Sequence, residues 1–293
     1  MTEEPDRWHR WLRDARFGGD SAYREKQLTE FLYPVRGKVL SRAQLQSGET
    51  LLDVGCGDGL IAFAALDRVG PAGTVIFCDV SQDLLDHCHQ VAAAEGLLDR
   101  CRFVRAPADD LTAMADGSAD LVTTRSVLIY VKDKAAALRE FHRVLKPGGR
   151  VSLSEPINVL MDGADPDRFF GYDVTPVRDL ATKVEALYES IQPPGDPMTD
   201  FDERDLVRHA IDAGFPQISL DLQLTVAARR EPAPWDRFLR TSGNPLVPAF
   251  GEAMDRALSP KEAAERTGHL RPLVESGIGR KRIALAYLTA VKS

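Results

Sequence analysis

No apolar run in this 293-residue chain approaches the roughly 20 residues needed to cross a bilayer. The N-terminal stretch MTEEPDRWHRWLRDAR is charged throughout and has no apolar secretory core, so a cytoplasmic protein with no membrane partner is expected. Basic charge is not in excess either: the formal net charge is −7, and the only dense basic cluster is the short Arg280-Lys281-Arg282. Proteins that coat a phosphate backbone gain affinity from clustered Lys and Arg, so nucleic acid is not expected as a partner. Cysteine is scarce. Cys56, Cys78, Cys88 and Cys101 make no C-x-x-C pair and no Cys/His set at zinc spacing, which points to reduced, structural thiols. Asp162, Asp165 and Asp167 cluster in a Pro- and Gly-containing loop, where turn formation is the simpler account, and no metal is expected. Histidine numbers six, with no acid–His pair at a telling spacing.

What is present is ordinary globular material: 44% apolar and 28% charged residues, enough to bury one large core or two modest ones. Trp8, Trp11, Leu12 and Ala15 repeat at helical spacing, Gly18-Gly19 breaks the stripe, and Asp20 or Ser21 can cap a second helix carrying Tyr23, Leu28, Phe31 and Leu32. From residue 50 short apolar runs (50–54, 74–79, 101–105, 119–124, 150–154) alternate with helical patterns (60–68, 82–95, 134–145), the last ending at Lys146-Pro147-Gly148-Gly149. This alternation predicts an α/β fold with a parallel sheet covered on both faces, doubly wound by right-handed crossovers. Further helices are predicted over 179–189 and 202–213, strands over 217–228 and 281–291, and Pro-punctuated helices over 230–279. The expected division is an N-terminal helical cap (1–45), a core (46–155), a substrate-side insertion (156–200) and the remaining core strands (201–293). A helical lid at about 230–279 interrupts those last strands.

The informative segment is Leu51-Leu52-Asp53-Val54-Gly55-Cys56-Gly57-Asp58-Gly59. Glycines at a strand-to-helix turn let backbone approach a ligand, and the helix start offers free N–H groups. A dinucleotide fingerprint is G-x-G-x-x-G. Here the spacing is G-x-G-x-G, and Asp53 precedes it by two residues, where a carboxylate would repel a pyrophosphate and suit a cationic ammonium and sulfonium. The second strand ends in Phe77-Cys78-Asp79-Val80, and a carboxylate at that tip can accept both hydroxyls of a ribose.

On these residues the chain resembles the class I S-adenosylmethionine-dependent methyltransferases, particularly their small-molecule branch, over roughly residues 48–156. LLDVGCGDG resembles the family's first motif, FCDVS its second, and LREFHRVLKPGGRVSLSEP the segment around its fifth strand. The resemblance implies a seven-stranded Rossmann-like sheet and S-adenosylmethionine as cofactor. It implies that Asp53 and the Gly55-Cys56-Gly57 backbone hold the methionine part, Asp79 the ribose, Val80 an adenine face, and the backbone near Arg125 the methionine end. Asp120 matches an acidic position of structural rather than chemical role. One departure stands out: Pro107 occupies the place of an aspartate that often meets the adenine amino group, leaving Ala108 and Asp109 as the contacts. The absence of an Asn-Pro-Pro-Tyr or Asp-Pro-Pro-Tyr run speaks against methylation of base amines.

Methyl transfer from a sulfonium asks the enzyme chiefly to align nucleophile and methyl carbon in a dry pocket, with a base where the acceptor is a hydroxyl. The candidates for that base or for the pocket wall are His269, Tyr130 and Tyr172. The expected activity is O- or C-methylation of a small organic acceptor by a monomer or homodimer. The alternatives are the same fold recruited to another reaction such as cyclisation, an NAD-dependent oxidoreductase, and a non-catalytic binding module.

Overall fold

In the computed structural model, which describes residues 6–161 and 165–293, the alternation from residue 50 resolves into β1 (Thr50–Val54), β2 (Thr74–Asp79), β3 (Cys101–Arg105), β4 (Ala119–Arg125) and β5 (Leu145–Pro156), all parallel. β1 is buried at four of its five positions, as a strand covered on both faces should be. Between the strands run α4 (Ala62–Val69), α5 (Gln82–Ala94) and α6 (Lys134–Val144). Ser81 caps α5 by accepting the Leu84 N–H at 3.1 Å, and Asp133 caps α6 through the Ala136 N–H at 2.7 Å. Ahead of the sheet stand α1 (Arg7–Arg13), α2 (Ser21–Gln27) and α3 (Tyr33–Arg42), with Gly18 in a left-handed turn and Asp20 capping α2.

Two small strands, β6 (Arg168–Phe169) and β7 (Tyr172–Asp173), form a hairpin before α7 (Arg178–Ile191) and α8 (Glu203–Asp212). Then come β8 (Gln217–Arg229), α9 (Trp235–Arg240), α10 (Phe250–Ala257), α11 (Pro260–Ser276) and β9 (Gly279–Val291). The sheet order is β3-β2-β1-β4-β5-β9-β8, with the last two pairings antiparallel. The sheet is therefore seven-stranded, mostly parallel and doubly wound. Its strand order reverses between β1 and β4, the crevice where ligands bind in such sheets.

Two details differ from expectation. Helix α6 ends at Val144, and β5 begins at Leu145 rather than 150, because the Lys146–Gly149 turn is accommodated as a bulge where the register jumps from Ala119/Leu145 to Leu121/Arg150. The segments after β5 and after β8 also prove to be one body. Phe169, Tyr172 and Val184 share a buried cluster with Trp235, Phe238, Phe250 and Leu270, separate from the clusters on the two sheet faces. Helices α7, α9, α10 and α11 bury their apolar faces against one another in that cluster, whereas α8 packs Leu206 and Ala210 against a sheet face. Among the described residues no helix is long and apolar enough to cross a membrane.

Candidate active site

A cavity of about 690 Å³ opens at the carboxyl ends of β1, β2 and β4, under α1 and the helical layer. The turn after β1 forms part of its wall. Gly55 has φ +65°, and a β-carbon there would lie 2.2 Å from Val127 Cγ2, so a side chain would be both strained and in collision. Gly57 N donates to Asp79 Oδ2 at 2.9 Å and Ser81 N to Asp79 Oδ1 at 2.9 Å, while Cys56 N reaches the Cys78 carbonyl at 3.0 Å. These bonds tie the turn to the tip of β2 and leave each Asp79 oxygen a further lone pair. Asp53 is buried, accepts the Thr123 hydroxyl at 2.7 Å, and is pushed up to about 7 by its burial. Burial also raises Asp79, ahead of the backbone N–H groups that oppose it. Among the described residues neither carboxylate makes an ion pair, which is the electrostatic complement of a cationic ligand.

The opposite wall follows β4. Ser126 holds φ +55°, a strained conformation for a non-glycine residue, and donates its N–H to the Ser154 carbonyl at 2.9 Å. Glu155, fully buried at the end of β5, accepts Val127 N at 3.0 Å and Ile129 N at 3.3 Å and is itself pushed up to about 7 by burial. Arg125 Nη1 meets Ser126 Oγ at 3.2 Å, and burial lowers this guanidinium. Arg16 enters from beyond α1, 5.2 Å from the ring centroids of both Trp11 and Phe17, and burial together with Arg125 brings it down to about 10. Sequence reasoning singled out neither Glu155 nor Arg16. Glu155 carries the same signal as Asp53 and Asp79, an acid at a strand tip. Arg16 carries none, being one of several arginines in a charged N-terminal segment.

Asp53, Gly55, Cys56, Gly57, Asp79, Val80, Ala108, Asp109 and Arg125 all line this one cavity. Pro107 joins them, its loop held by the Ala106 N–H on the Asp79 carbonyl at 3.1 Å. Tyr130 lines the cavity edge-on to Trp8, with centroids 4.8 Å apart. Burial raises its hydroxyl far above neutrality, so Tyr130 can donate a hydrogen bond but is not poised as a base. Tyr172 also lines the cavity, with its hydroxyl 3.4 Å from Arg229 Nη1. His269 does not. It sits on α11 with Nε2 2.8 Å from the Asp173 carbonyl, because the amphipathic packing of α11 turns it away from the chamber. Asp120 is structural, bonding Lys146 Nζ through both oxygens at 2.8 Å and the Thr50 N–H at 2.8 Å. Asp165 pairs with Arg280 and accepts the Asp167 N–H at 3.2 Å, while Asp162 lies outside the described residues. Among the described residues no group of three or more His, Cys, Asp or Glu is placed to hold a metal ion.

A sequence family described as "Methyltransferase domain" matches residues 52–153, the span that contributes β1 to β5 and both acidic strand tips. Residues 52–153 thus match a methyltransferase domain. The chain is 35% identical over 128 residues to a nocamycin O-methyltransferase of Saccharothrix syringae, covering 44% of this chain and 45% of that one. It is 35% identical over 166 residues to a ubiquinone/menaquinone biosynthesis C-methyltransferase of Xanthomonas campestris, covering 54% and 65%. The chain thus spans less than two thirds of these relatives. Among solved structures, the methyltransferase domain and its additions superpose on Haemonchus contortus phosphoethanolamine N-methyltransferase 2 bound to S-adenosyl-L-methionine, with TM-score 0.52, 16% identity, and coverage of 97% of this chain and 56% of that one. The YcgJ protein of Bacillus subtilis gives TM-score 0.53 at 17% identity, over 89% and 98%. At such identities these two likenesses speak to the fold.

Proposed function

We propose that the protein transfers the methyl group of S-adenosylmethionine to an oxygen or carbon of a small organic acceptor, with the helical layer and α1 acting as a lid over the acceptor. The observation that carries this reading is continuity. The cavity that collects Asp53, the Gly55–Gly57 turn and Asp79 runs without a partition to Phe170, Tyr172, Phe238 and Phe250 of the helical layer. Relatives that methylate oxygen and carbon support the same reaction class.

The residues present fit the cofactor. Asp53 is a buried carboxylate without an ion-pair partner among the described residues and can take the ammonium, Asp79 keeps lone pairs for two ribose hydroxyls, and Val80 offers an apolar face, 41% exposed, for adenine. When bound, the cofactor supplies a methyl group activated by the sulfonium. The chain's own work is positional. The turn after β1 and the loop after β4 fix the donor side, and the aromatic wall excludes water and orients the acceptor. Tyr130, held protonated, donates a hydrogen bond to the acceptor or to the methionine carboxylate. Among the described residues no histidine lines the cavity, and Asp53, raised to about 7, is taken by the cofactor's ammonium in this reading.

Titration calorimetry with S-adenosylhomocysteine tests the cofactor site, and Asp79→Ala is expected to weaken binding at least tenfold. Label from methyl-labelled S-adenosylmethionine should then appear in an organic product when a metabolite extract is added. Tight adenosylhomocysteine binding without label transfer from any extract would point to a reaction other than methylation.

A further inference from the structure

Five cations line this cavity, Arg16, Arg125, Lys132, Arg229 and Arg237, of which Lys132 is exposed. Arg16 and Arg125 stand together on the β4 side, where the Arg125 charge helps burial to lower Arg16. The carboxylate of the cofactor's methionine moiety is an anion available to that pair. Under the helical layer the situation differs. Arg237 is taken by Asp20 at 3.2 Å, and Glu231 by Lys26 at 2.6 Å. Arg229 makes no ion pair among the described residues. Its contacts are with neutral groups: the Tyr172 ring, whose centroid lies 5.0 Å from the guanidinium carbon, and two oxygens at the long limit of hydrogen bonding, Tyr172 Oη at 3.4 Å from Nη1 and the Phe170 carbonyl at 3.5 Å from Nη2. Its Nε is buried with no partner. A buried donor left unpaired is costly, and a guanidinium offers five donors in a fork that matches carboxylate geometry.

The backbone beside it points the same way. Phe170, which supplies the carbonyl, holds φ +49° in the turn between β6 and β7, an outlier conformation for a bulky residue. Its ring sits 4.1 Å from that of Phe250, and both rings line the cavity with Tyr172 and Phe238. A strained turn thus brings the Phe170 carbonyl and, two residues on, the Tyr172 ring to an arginine that has no carboxylate partner among the described residues, which has the character of a recognition element.

We propose that Arg229 and the Tyr172 hydroxyl form the anion-binding end of the acceptor site, so that the acceptor is an apolar, ring-bearing molecule carrying an ionised acidic oxygen group. Arg229 holds that group, Tyr172 donates to it, and the rings of Phe170, Phe238 and Phe250 take the apolar body. This inference rests on reading the cavity as an acceptor chamber.

The test uses two dyes with one aromatic skeleton, anilinonaphthalene sulfonate and its uncharged parent phenylnaphthylamine, titrated by fluorescence into the full chain saturated with adenosylhomocysteine. The anionic dye should bind at least tenfold tighter than the neutral one. Arg229→Met should remove that preference, weakening the anionic dye about tenfold and leaving the neutral dye unchanged. Arg229→Lys should restore part of it. Equal affinities in the unaltered protein, a preference that survives Arg229→Met, or failure of both dyes to bind would each overturn the proposal. Adenosylhomocysteine affinity, measured on every variant by calorimetry, shows that the variants are folded. It also separates the two readings: lost adenosylhomocysteine binding in the unaltered protein sinks the proposed function, whereas intact binding without dye discrimination sinks only the acceptor inference.

Discussion

Glu155 accepts the backbone N–H of Val127 at 3.0 Å, and Val127 is the side chain that a β-carbon on Gly55 would strike. One buried carboxylate at the end of β5 thus sets the position of the loop against which the glycine turn closes. The two walls of the cavity are braced through a residue that is itself wholly buried.

Replacing Glu155 by Ala leaves the N–H groups of Val127 and Ile129 without their acceptor. Each orphaned buried donor costs about 1–3 kcal/mol, offset in part because a buried charge is also removed. Since burial raises Glu155 to about 7, that offset is larger above neutrality. Urea unfolding should therefore show a larger destabilisation by Glu155→Ala at pH 6 than at pH 8, and equal losses would contradict the assignment.

The raised carboxyls also predict how cofactor affinity follows pH. Asp53 and Glu155 both have folded-state values near 7, above those of the unfolded chain. Between about pH 4 and 7 the folded protein holds more protons than the unfolded one. The stability these groups contribute is full at low pH and is lost as pH rises through 7. A cationic ligand facing Asp53 reverses the preference, because it favours the ionised carboxylate. Adenosylmethionine should bind with proton release at pH 6, and its affinity should rise with pH and level off above 7. Calorimetry in buffers of different ionisation enthalpy detects this, and Asp53→Asn should abolish the release.

At Gly55 two penalties can be separated. Gly55→Ala meets both a left-handed backbone, at roughly 1–2 kcal/mol, and the 2.2 Å contact with Val127. Adding Val127→Ala should recover the steric part only. If the double variant regains full adenosylhomocysteine affinity, the backbone conformation is not what the turn requires.

His269 provides a control. Its ring bonds a backbone carbonyl outside the cavity, so His269→Ala is expected to leave label transfer within about twofold of the original. A hundredfold loss would return it to the active site.

Much of the architecture was legible in the residues alone because local rules govern it. The apolar runs 50–54 and 74–79 coincide with β1 and β2, since a strand buried on both faces has little choice of composition. Asp53, Gly55, Gly57 and Asp79 could be assigned to one site because strand, turn and acid follow one another within a few residues. Arg16 and Arg229 could not, because each reaches the cavity from a different part of the chain with no local pattern to mark it, whereas Glu155 carries a strand-tip signal but braces the loop after β4.

The succession of strands and helices, the glycine turn and the two acids beside it are written into neighbouring residues, because hydrogen-bonding period, backbone freedom and charge are local properties. Folding at long range settled that the segments after β5 and β8 share one packed cluster, that His269 lies outside the cavity, and that Arg229 lines it with no carboxylate partner among the described residues. Those outcomes depend on which apolar faces bury one another across more than a hundred residues of sequence, for instance Leu270 with Phe169, and such long-range packing leaves no trace in local spacing.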